Sequence, residues 1–135
     1  MKFYIGSGFK NAKLVNELAS QLLQSGWQHT YNWANSILEK ETKEDMIRFS
    51  QLEQQAILDS DVIIILLPAG RGTHIELGMA LAFEKKIYLC STQQEAFQIE
   101  NTVNFYELPQ IRKIVGNIEE ISSKIIEDNK QESSM

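Results

Sequence analysis

The stretch that decides the fold is Val62-Ile63-Ile64-Ile65-Leu66-Leu67 (residues 62–67), an uninterrupted apolar run. β-branched side chains favour strands, and a strand without polar residues is typically covered on both faces, as in the middle of a parallel sheet. The following residues, Pro68-Ala69-Gly70-Arg71-Gly72-Thr73, predict a turn, and a helix is expected over 73–84. The run therefore predicts a central strand with a strand-to-helix junction at its carboxyl end.

Apolar and amphipathic segments alternate on both sides of this strand. Their spacing predicts strands over 2–6, 27–31, 87–90 and 112–115 and helices over 10–25, 39–60 and 117–128, with an irregular segment over 92–110. Gly26 is placed to end the first helix. The alternation predicts an α/β, three-layer, flavodoxin/Rossmann-like fold with a parallel sheet of about five strands. We expect one domain over 1–128 and a polar tail over 129–135.

The composition narrows the classes of function. With 135 residues, 43% hydrophobic residues and a net charge of −5, the chain can bury one core and is not expected to bind nucleic acid. A single cysteine, Cys90, and two histidines make a disulfide framework or a metal site improbable, and no cofactor is expected. The sequence contains no run of about 18 apolar residues and starts directly with a strand. We therefore expect a cytoplasmic protein that binds no membrane.

Ligands of parallel sheets bind beyond the carboxyl ends of the strands, which gathers the loops 6–10, 32–36 and 68–74 at one edge. In the first loop, Gly6, Ser7 and Lys10 are candidates to hold an anion at a helix N-terminus, or they form a plain turn. In the second, Trp33 is placed to stack on a nucleobase or to pack beneath its own loop.

The third loop offers four candidates for substrate binding, Gly70, Arg71, Gly72 and Thr73. A carboxylate, Glu76, follows three residues later. The two glycines of this loop let the backbone approach a ligand closely. Arg71 either binds a phosphate or points into solvent. The pattern Thr73-x-x-Glu76 matches a capping box, in which Thr73 begins the helix and Glu76 caps it. Alternatively, Glu76 is a catalytic carboxylate that faces the ligand, and spacing alone does not separate the two interpretations.

Residues 57–89, ILDSDVIIILLPAGRGTHIELGMALAFEKKIYL, resemble the core of the nucleoside 2-deoxyribosyltransferase family and its relatives, the 2′-deoxynucleoside 5′-monophosphate N-glycosidases. FYIGSGF (3–9) resembles the first strand and turn of this family, and HTYNW (29–33) its second strand and loop. The resemblance spans about residues 2–90 and is most specific over 61–82. The Ser-x-Arg of the monophosphate hydrolases is replaced here by Ser7-Gly8-Phe9-Lys10.

The resemblance implies cleavage of the N-glycosidic bond of a (deoxy)nucleoside or nucleotide by a retaining mechanism. Glu76 takes the position of the nucleophile that attacks C1′ and holds the sugar as an ester. Glu53 is the nearest match to an Asp that acts as the second acid in relatives, and we expect its pKa to be raised by Glu76. The family also implies a homodimer or higher homo-oligomer, in which Asn104 reaches a neighbouring subunit's site.

The sequence is compatible with two other functions, and it does not distinguish a transferase from a hydrolase. A TIR-like enzyme that cleaves NAD or handles ADP-ribose would use Glu76 on a nicotinamide riboside bond. A non-catalytic nucleotide-binding or sensing protein would keep the pocket without the chemistry. The replacement of Asp by Glu53 and the missing first-loop arginine slightly favour this last alternative.

Overall fold

The computed structural model describes residues 1–35 and 42–133, with the side chains of 131–133 left out. Its five strands are β1 (Lys2–Ser7), β2 (Gln28–His29), β3 (Val62–Leu66), β4 (Lys86–Ser91) and β5 (Ile111–Val115). They form one sheet in the order β2-β1-β3-β4-β5, and every neighbouring pair is parallel. The predicted α/β fold with a five-stranded parallel sheet is confirmed.

Four helices cover the sheet: α1 (Ala12–Gln24), α2 (Lys43–Asp59), α3 (Arg71–Ala82) and α4 (Ile118–Ser133). Helix α1 packs against α4, and α2 packs against α3. Strand β3 is buried beneath these helices, and each of its residues is at most 1% exposed. Burying a side chain of this size stabilises the fold by about 1.5–3 kcal/mol. The central position expected for the run 62–67 is therefore confirmed.

Several element boundaries differ from the prediction. The strand expected over 27–31 is reduced to Gln28–His29, because β2 lies at the edge and pairs only with β1. The helix expected over 39–60 begins at Lys43, after a capping box between Thr42 and Asp45. Residues 36–41, which belong to the predicted loop 32–36 and helix 39–60, lie outside the described residues.

The last helix is longer than the predicted range 117–128. Asn129 is buried, and its amide donates to the Tyr88 hydroxyl at 3.0 Å and to the Ile125 carbonyl at 2.7 Å. The bond to Tyr88 of β4 holds the last turns of the helix against the sheet, and α4 extends to Ser133. Gly26 follows α1 with a φ of +89°, as a glycine that ends a helix does. Within the described residues, none of the helices has both the length and the apolar character that crossing a membrane requires.

The carboxyl ends of β1 and β3 are held together just beyond the sheet. The Gly8 N–H donates to the Pro68 carbonyl at 3.1 Å, and a Cβ on Gly8 would lie only 2.9 Å from that oxygen. A side chain at this position would force the two segments apart. Pro68 follows a cis peptide bond. This junction sets the distance between the loop after β1 and the start of α3.

Candidate active site

A cleft of about 440 Å³ lies beyond the carboxyl ends of β1 and β3. The sequence-predicted residues that line it are Ser7, Trp33, Glu53, Gly70, Arg71, Gly72, Thr73 and Glu76. They come from the end of β1, from the turn after β2, from α2 and from the start of α3. The strand-end rule therefore brings most of the candidates into one concave surface.

Three candidates lie outside this lining as the structure describes it. Gly6 packs beneath it, since a Cβ there would lie 3.2 Å from Glu76 Oε1. Lys10 is in the 3-10 turn Phe9–Asn11, and Asn104 begins another 3-10 turn in the segment after β4. Asn104 belongs to a cleft only if a neighbouring chain supplies it.

Glu76 is buried in the wall of the cleft, in the second turn of α3. The hydroxyl of Tyr4, a fully buried residue of β1, donates to Glu76 Oε2. The pKa of Glu76 is raised to about 8, chiefly because the carboxyl is buried; the bond from Tyr4 opposes the rise, and the charge of Glu53 adds to it. The pKa of Tyr4 is raised well above its usual value by burial and by Glu76. Glu76 is therefore mostly protonated at neutral pH, and its pKa depends on the charge of a second carboxyl, Glu53.

The capping-box interpretation of Thr73 and Glu76 is wrong. Helix α3 begins at Arg71, and its N-cap is Gly70 in an extended conformation (φ −86°, ψ −171°). Thr73 is therefore the third helical residue and Glu76 the sixth, too far from the N-cap to bond to it. The predicted loop 70–73 is also wrong beyond Gly70, because Arg71–Thr73 form the first turn of the helix. The first N–H groups of a helix have no partner within it, and these lie at the cleft.

Ser7 uses its hydroxyl to connect the strand ends. It donates to the Leu66 carbonyl at 2.6 Å and accepts from the Asn11 amide at 2.9 Å. Its side chain is buried. The contribution of Ser7 is therefore to hold the loop after β1 against β3, at the floor of the cleft.

Trp33 packs beneath its own loop and also borders the cleft. Its indole N–H donates to the Ile5 carbonyl at 2.6 Å, and its ring meets Phe9 edge-on with centroids 6.1 Å apart. Phe9 is 64% exposed. Trp33 is therefore held in place by its hydrogen bond and packs against Phe9, whose exposed ring lines the cleft.

Sequence reasoning missed seven residues at the site: Tyr4, Gly8, Phe9, Tyr31, Met46, Phe49 and Ser50. Three of them lie on α2 with Glu53 at positions i, i+3, i+4 and i+7, and this spacing was a signal for a shared helix face. Tyr4 gave no such signal, because it lies in a strand and its contact with Glu76 spans 72 residues. The Tyr31 hydroxyl is buried and has no hydrogen-bond partner among the described residues.

The arrangement combines two carboxyl groups, an arginine and a helix N-terminus with an aromatic and aliphatic wall. Such a site can bind a molecule with one flat apolar part and one polar or anionic part, and can carry out acid–base or nucleophilic chemistry between them. Within residues 1–35 and 42–133, no group of three or more His, Cys, Asp or Glu side chains is arranged to hold a metal ion.

The chain is similar to known proteins in sequence and in fold. A family model described as nucleoside 2-deoxyribosyltransferase matches residues 3–130. Among solved structures, a Clostridium botulinum CMP N-glycosidase, BcmB, is similar with a TM-score of 0.64 and 21% identity, over 93% of this chain and 99% of that one. A 2-deoxyribosyltransferase from Bacillus psychrosaccharolyticus is similar with a TM-score of 0.72 and 18% identity, over 90% of each chain. No curated protein matches the sequence.

Proposed function

This chain belongs to the nucleoside 2-deoxyribosyltransferase family, and from that premise we propose that it cleaves the N-glycosidic bond of a (deoxy)nucleoside or nucleotide in the cleft beside Glu76. The observation that carries the proposal is the buried Glu76 carboxyl, which lines the cleft and accepts a hydrogen bond from Tyr4. It occupies the position that the resemblance gives to the nucleophile. A buried carboxyl with a raised pKa in a cleft is also a frequent mark of a catalytic group.

The reaction proceeds in two displacements. In the reactive state the two carboxyl groups hold one proton between them, and it is on Glu53. The ionised Glu76 carboxylate attacks C1′ while the bond from C1′ to the base nitrogen breaks, and the leaving base takes the proton from Glu53. The sugar is then held on Glu76 as an ester. Water in a hydrolase, or a second base in a transferase, then attacks C1′ and gives its proton to the Glu53 carboxylate, and the ester bond to Glu76 breaks. The hydrogen bond from Tyr4 to one carboxylate oxygen fixes the orientation of the Glu76 side chain in the cleft.

The two parts of the substrate are bound by different walls of the cleft. The base lies among the apolar side chains, with Phe9 supported by Trp33 on one side and Met46 and Phe49 of α2 on the other. Gly70, Arg71, Gly72 and Thr73 bind the sugar hydroxyls or a 5′-phosphate, because they combine a guanidinium with the positive end of a helix dipole. We name this stretch, Gly70–Thr73, the junction segment.

Chromatography of released base tests the function. The protein is incubated with 2′-deoxynucleosides, their 5′-monophosphates, CMP and NAD, and Glu76→Gln is treated in parallel. We expect free base from at least one nucleoside or nucleotide with the unaltered chain and none with Glu76→Gln. Nicotinamide as the only product would instead assign the chain to NAD cleavage. Tight binding with no product would leave a nucleotide-binding protein, and either result contradicts the proposal.

A further inference from the structure

His74 and Tyr106 form a bonded stack outside the cleft lining. The His74 Nε2 and the Tyr106 hydroxyl oxygen are 2.7 Å apart, and the two rings are stacked with centroids 5.8 Å apart and planes 7° apart. The second ring nitrogen, Nδ1, lies 2.8 Å from the Gly70 carbonyl. One imidazole therefore joins the N-cap of α3 to the segment that follows β4.

The partners fix the hydrogen positions on the neutral ring. A carbonyl oxygen only accepts, so Nδ1 carries the hydrogen and donates to Gly70. Nε2 then accepts, and the Tyr106 hydroxyl donates to it. Tyr106 is 4% exposed and its ring meets Phe97 edge-on, with centroids 6.5 Å apart. The hydroxyl is therefore held by a ring that is itself packed into the protein.

We propose that His74 and Tyr106 are positioning residues that fix the junction segment, and through it the affinity for substrate. Gly70 is the N-cap of α3 and, within the described residues, no side chain caps this helix. Glycine on both sides of Arg71 leaves this backbone freer than residues with side chains would. The hydrogen bond from His74 to the Gly70 carbonyl restrains the backbone at the start of α3. The Tyr106 hydroxyl bonds the other ring nitrogen and so fixes the orientation of the imidazole.

Glu76 has a further restraint that does not involve this pair, because the hydroxyl of Tyr4 in β1 donates to its carboxyl. Loss of the Tyr106 hydroxyl should therefore affect binding more than the chemical step. This kinetic part of the inference rests on the proposed function. For Tyr106→Phe we expect KM to rise about 3- to 10-fold, the equivalent of one hydrogen bond, with kcat changed by less than about 2-fold. His74→Phe should raise KM as much, and the double variant no further.

Tyr88→Phe is the matched control. The Tyr88 hydroxyl donates to Asp128 and accepts from the Asn129 amide of α4, so this variant also loses a bonded tyrosine hydroxyl. It should lower the melting temperature and leave KM unchanged. A KM that is unchanged in Tyr106→Phe, or raised equally in both variants, would overturn the proposal.

Amide hydrogen exchange of the ligand-free protein gives a second result that needs no turnover. The His74 N–H donates to the Gly70 carbonyl at 3.2 Å, at the start of α3. Peptides that cover 71–82 should exchange faster in Tyr106→Phe and at the original rate in Tyr88→Phe. Equal exchange in the two variants refutes the positioning role. If the unaltered chain cleaves no substrate, the proposed function fails, and the exchange comparison still decides for or against this pair.

Discussion

The proton on Glu76 links stability to activity at the scale of a single residue. Its pKa in the folded protein is about 8, against an ordinary value of 4.5, so the folded state binds the proton more tightly than the unfolded state does. Stability therefore falls as the pH rises from about 4.5 to 8, and each unit of pKa difference corresponds to about 1.4 kcal/mol. Ionisation of this buried carboxyl, which the reaction requires, therefore lowers the free energy of unfolding.

Glu76→Gln removes this cost and the nucleophile together. We expect turnover to fall by at least about 10³-fold, while the melting temperature at pH 8–9 rises above that of the unaltered chain. At pH 4 or below, where Glu76 is protonated in the folded state and mostly protonated in the unfolded state, the gain should disappear. Calorimetry of both proteins at each pH measures this. A variant that is less stable at pH 9 than the unaltered chain would show that the carboxylate stabilises the fold.

The comparison at equal pH also cancels the effect of His29. Burial lowers the pKa of His29 to about 4, so the folded state binds its proton less tightly than the unfolded state. Stability from this residue is present above about pH 6.5 and is lost as the pH falls toward 4. Its effect acts in the opposite direction to that of Glu76, and both proteins carry it unchanged.

Glu53→Gln should change both the rate and the pH profile. The charge of Glu53 raises the pKa of Glu76, so its removal should shift the ascending limb of kcat/KM from near pH 8 to lower pH. Loss of the proton donor should lower kcat by about 10²- to 10⁴-fold. Glu44→Gln, an exposed glutamate on the same helix, is the control and should alter neither. An unchanged profile for Glu53→Gln would remove Glu53 from the site.

At the scale of the elements, helix α3 contains two glycines that differ in their position relative to the cleft. A Cβ on Gly72 or on Gly78 would meet no described atom within 4 Å. Alanine at either position should therefore stabilise the helix by about 0.5–1 kcal/mol. Gly72 lines the cleft, so Gly72→Ala should also place a methyl group against the substrate.

The expected outcome is a gain in stability for both variants and a rise in KM for Gly72→Ala alone. Urea unfolding and steady-state kinetics measure the two effects. The control, Gly78→Ala, is matched because it lies in the same helix and is exposed outside the cleft lining. If Gly72→Ala were stabilised with an unchanged KM, the backbone at this position would not be close to the substrate.

The elements themselves were predictable where one physical signal dominated. The run 62–67 is apolar throughout, and only a central strand buries every residue of such a run. At the start of α3 two signals competed. Thr73-x-x-Glu76 fits a capping box equally well in sequence, but Gly70 can also begin a helix, and the packing of Thr73 and Glu76 near Gly6 decided the boundary. Local pattern does not contain that packing.

At the scale of the whole molecule, the site is assembled from segments far apart in the sequence. The family resemblance directed attention to Glu76, and the rule for strand ends gathered the loops around it. Neither identified Tyr4 as its partner, because a tyrosine in a buried strand looks the same whether its hydroxyl meets a carboxyl or a carbonyl. That distinction depends on the pairing of β1 with β3 and on the position of α3 above them.

We propose that the chain forms the homo-oligomer that the family resemblance implies, and that the segment after β4 takes part in it. This segment exposes apolar side chains, with Ile99 89% and Phe105 61% exposed, and it contains Asn104 outside the chain's own cleft lining. We expect light scattering to give the mass of a dimer or higher homo-oligomer at assay concentration. Asn104→Ala should lower turnover without changing that mass. A fully active monomer would contradict the neighbouring-subunit role of Asn104.

The anomeric configuration of the product tests the central claim, attack of Glu76 on C1′, most directly. Cleavage is carried out in water containing methanol, and the methyl glycoside is analysed by nuclear magnetic resonance. Two successive displacements at C1′ restore the original configuration, so attack by Glu76 predicts a β-methyl glycoside from a β-nucleoside or β-nucleotide. An α-methyl glycoside would mean that solvent attacks C1′ directly, and it would contradict the role of Glu76 as nucleophile.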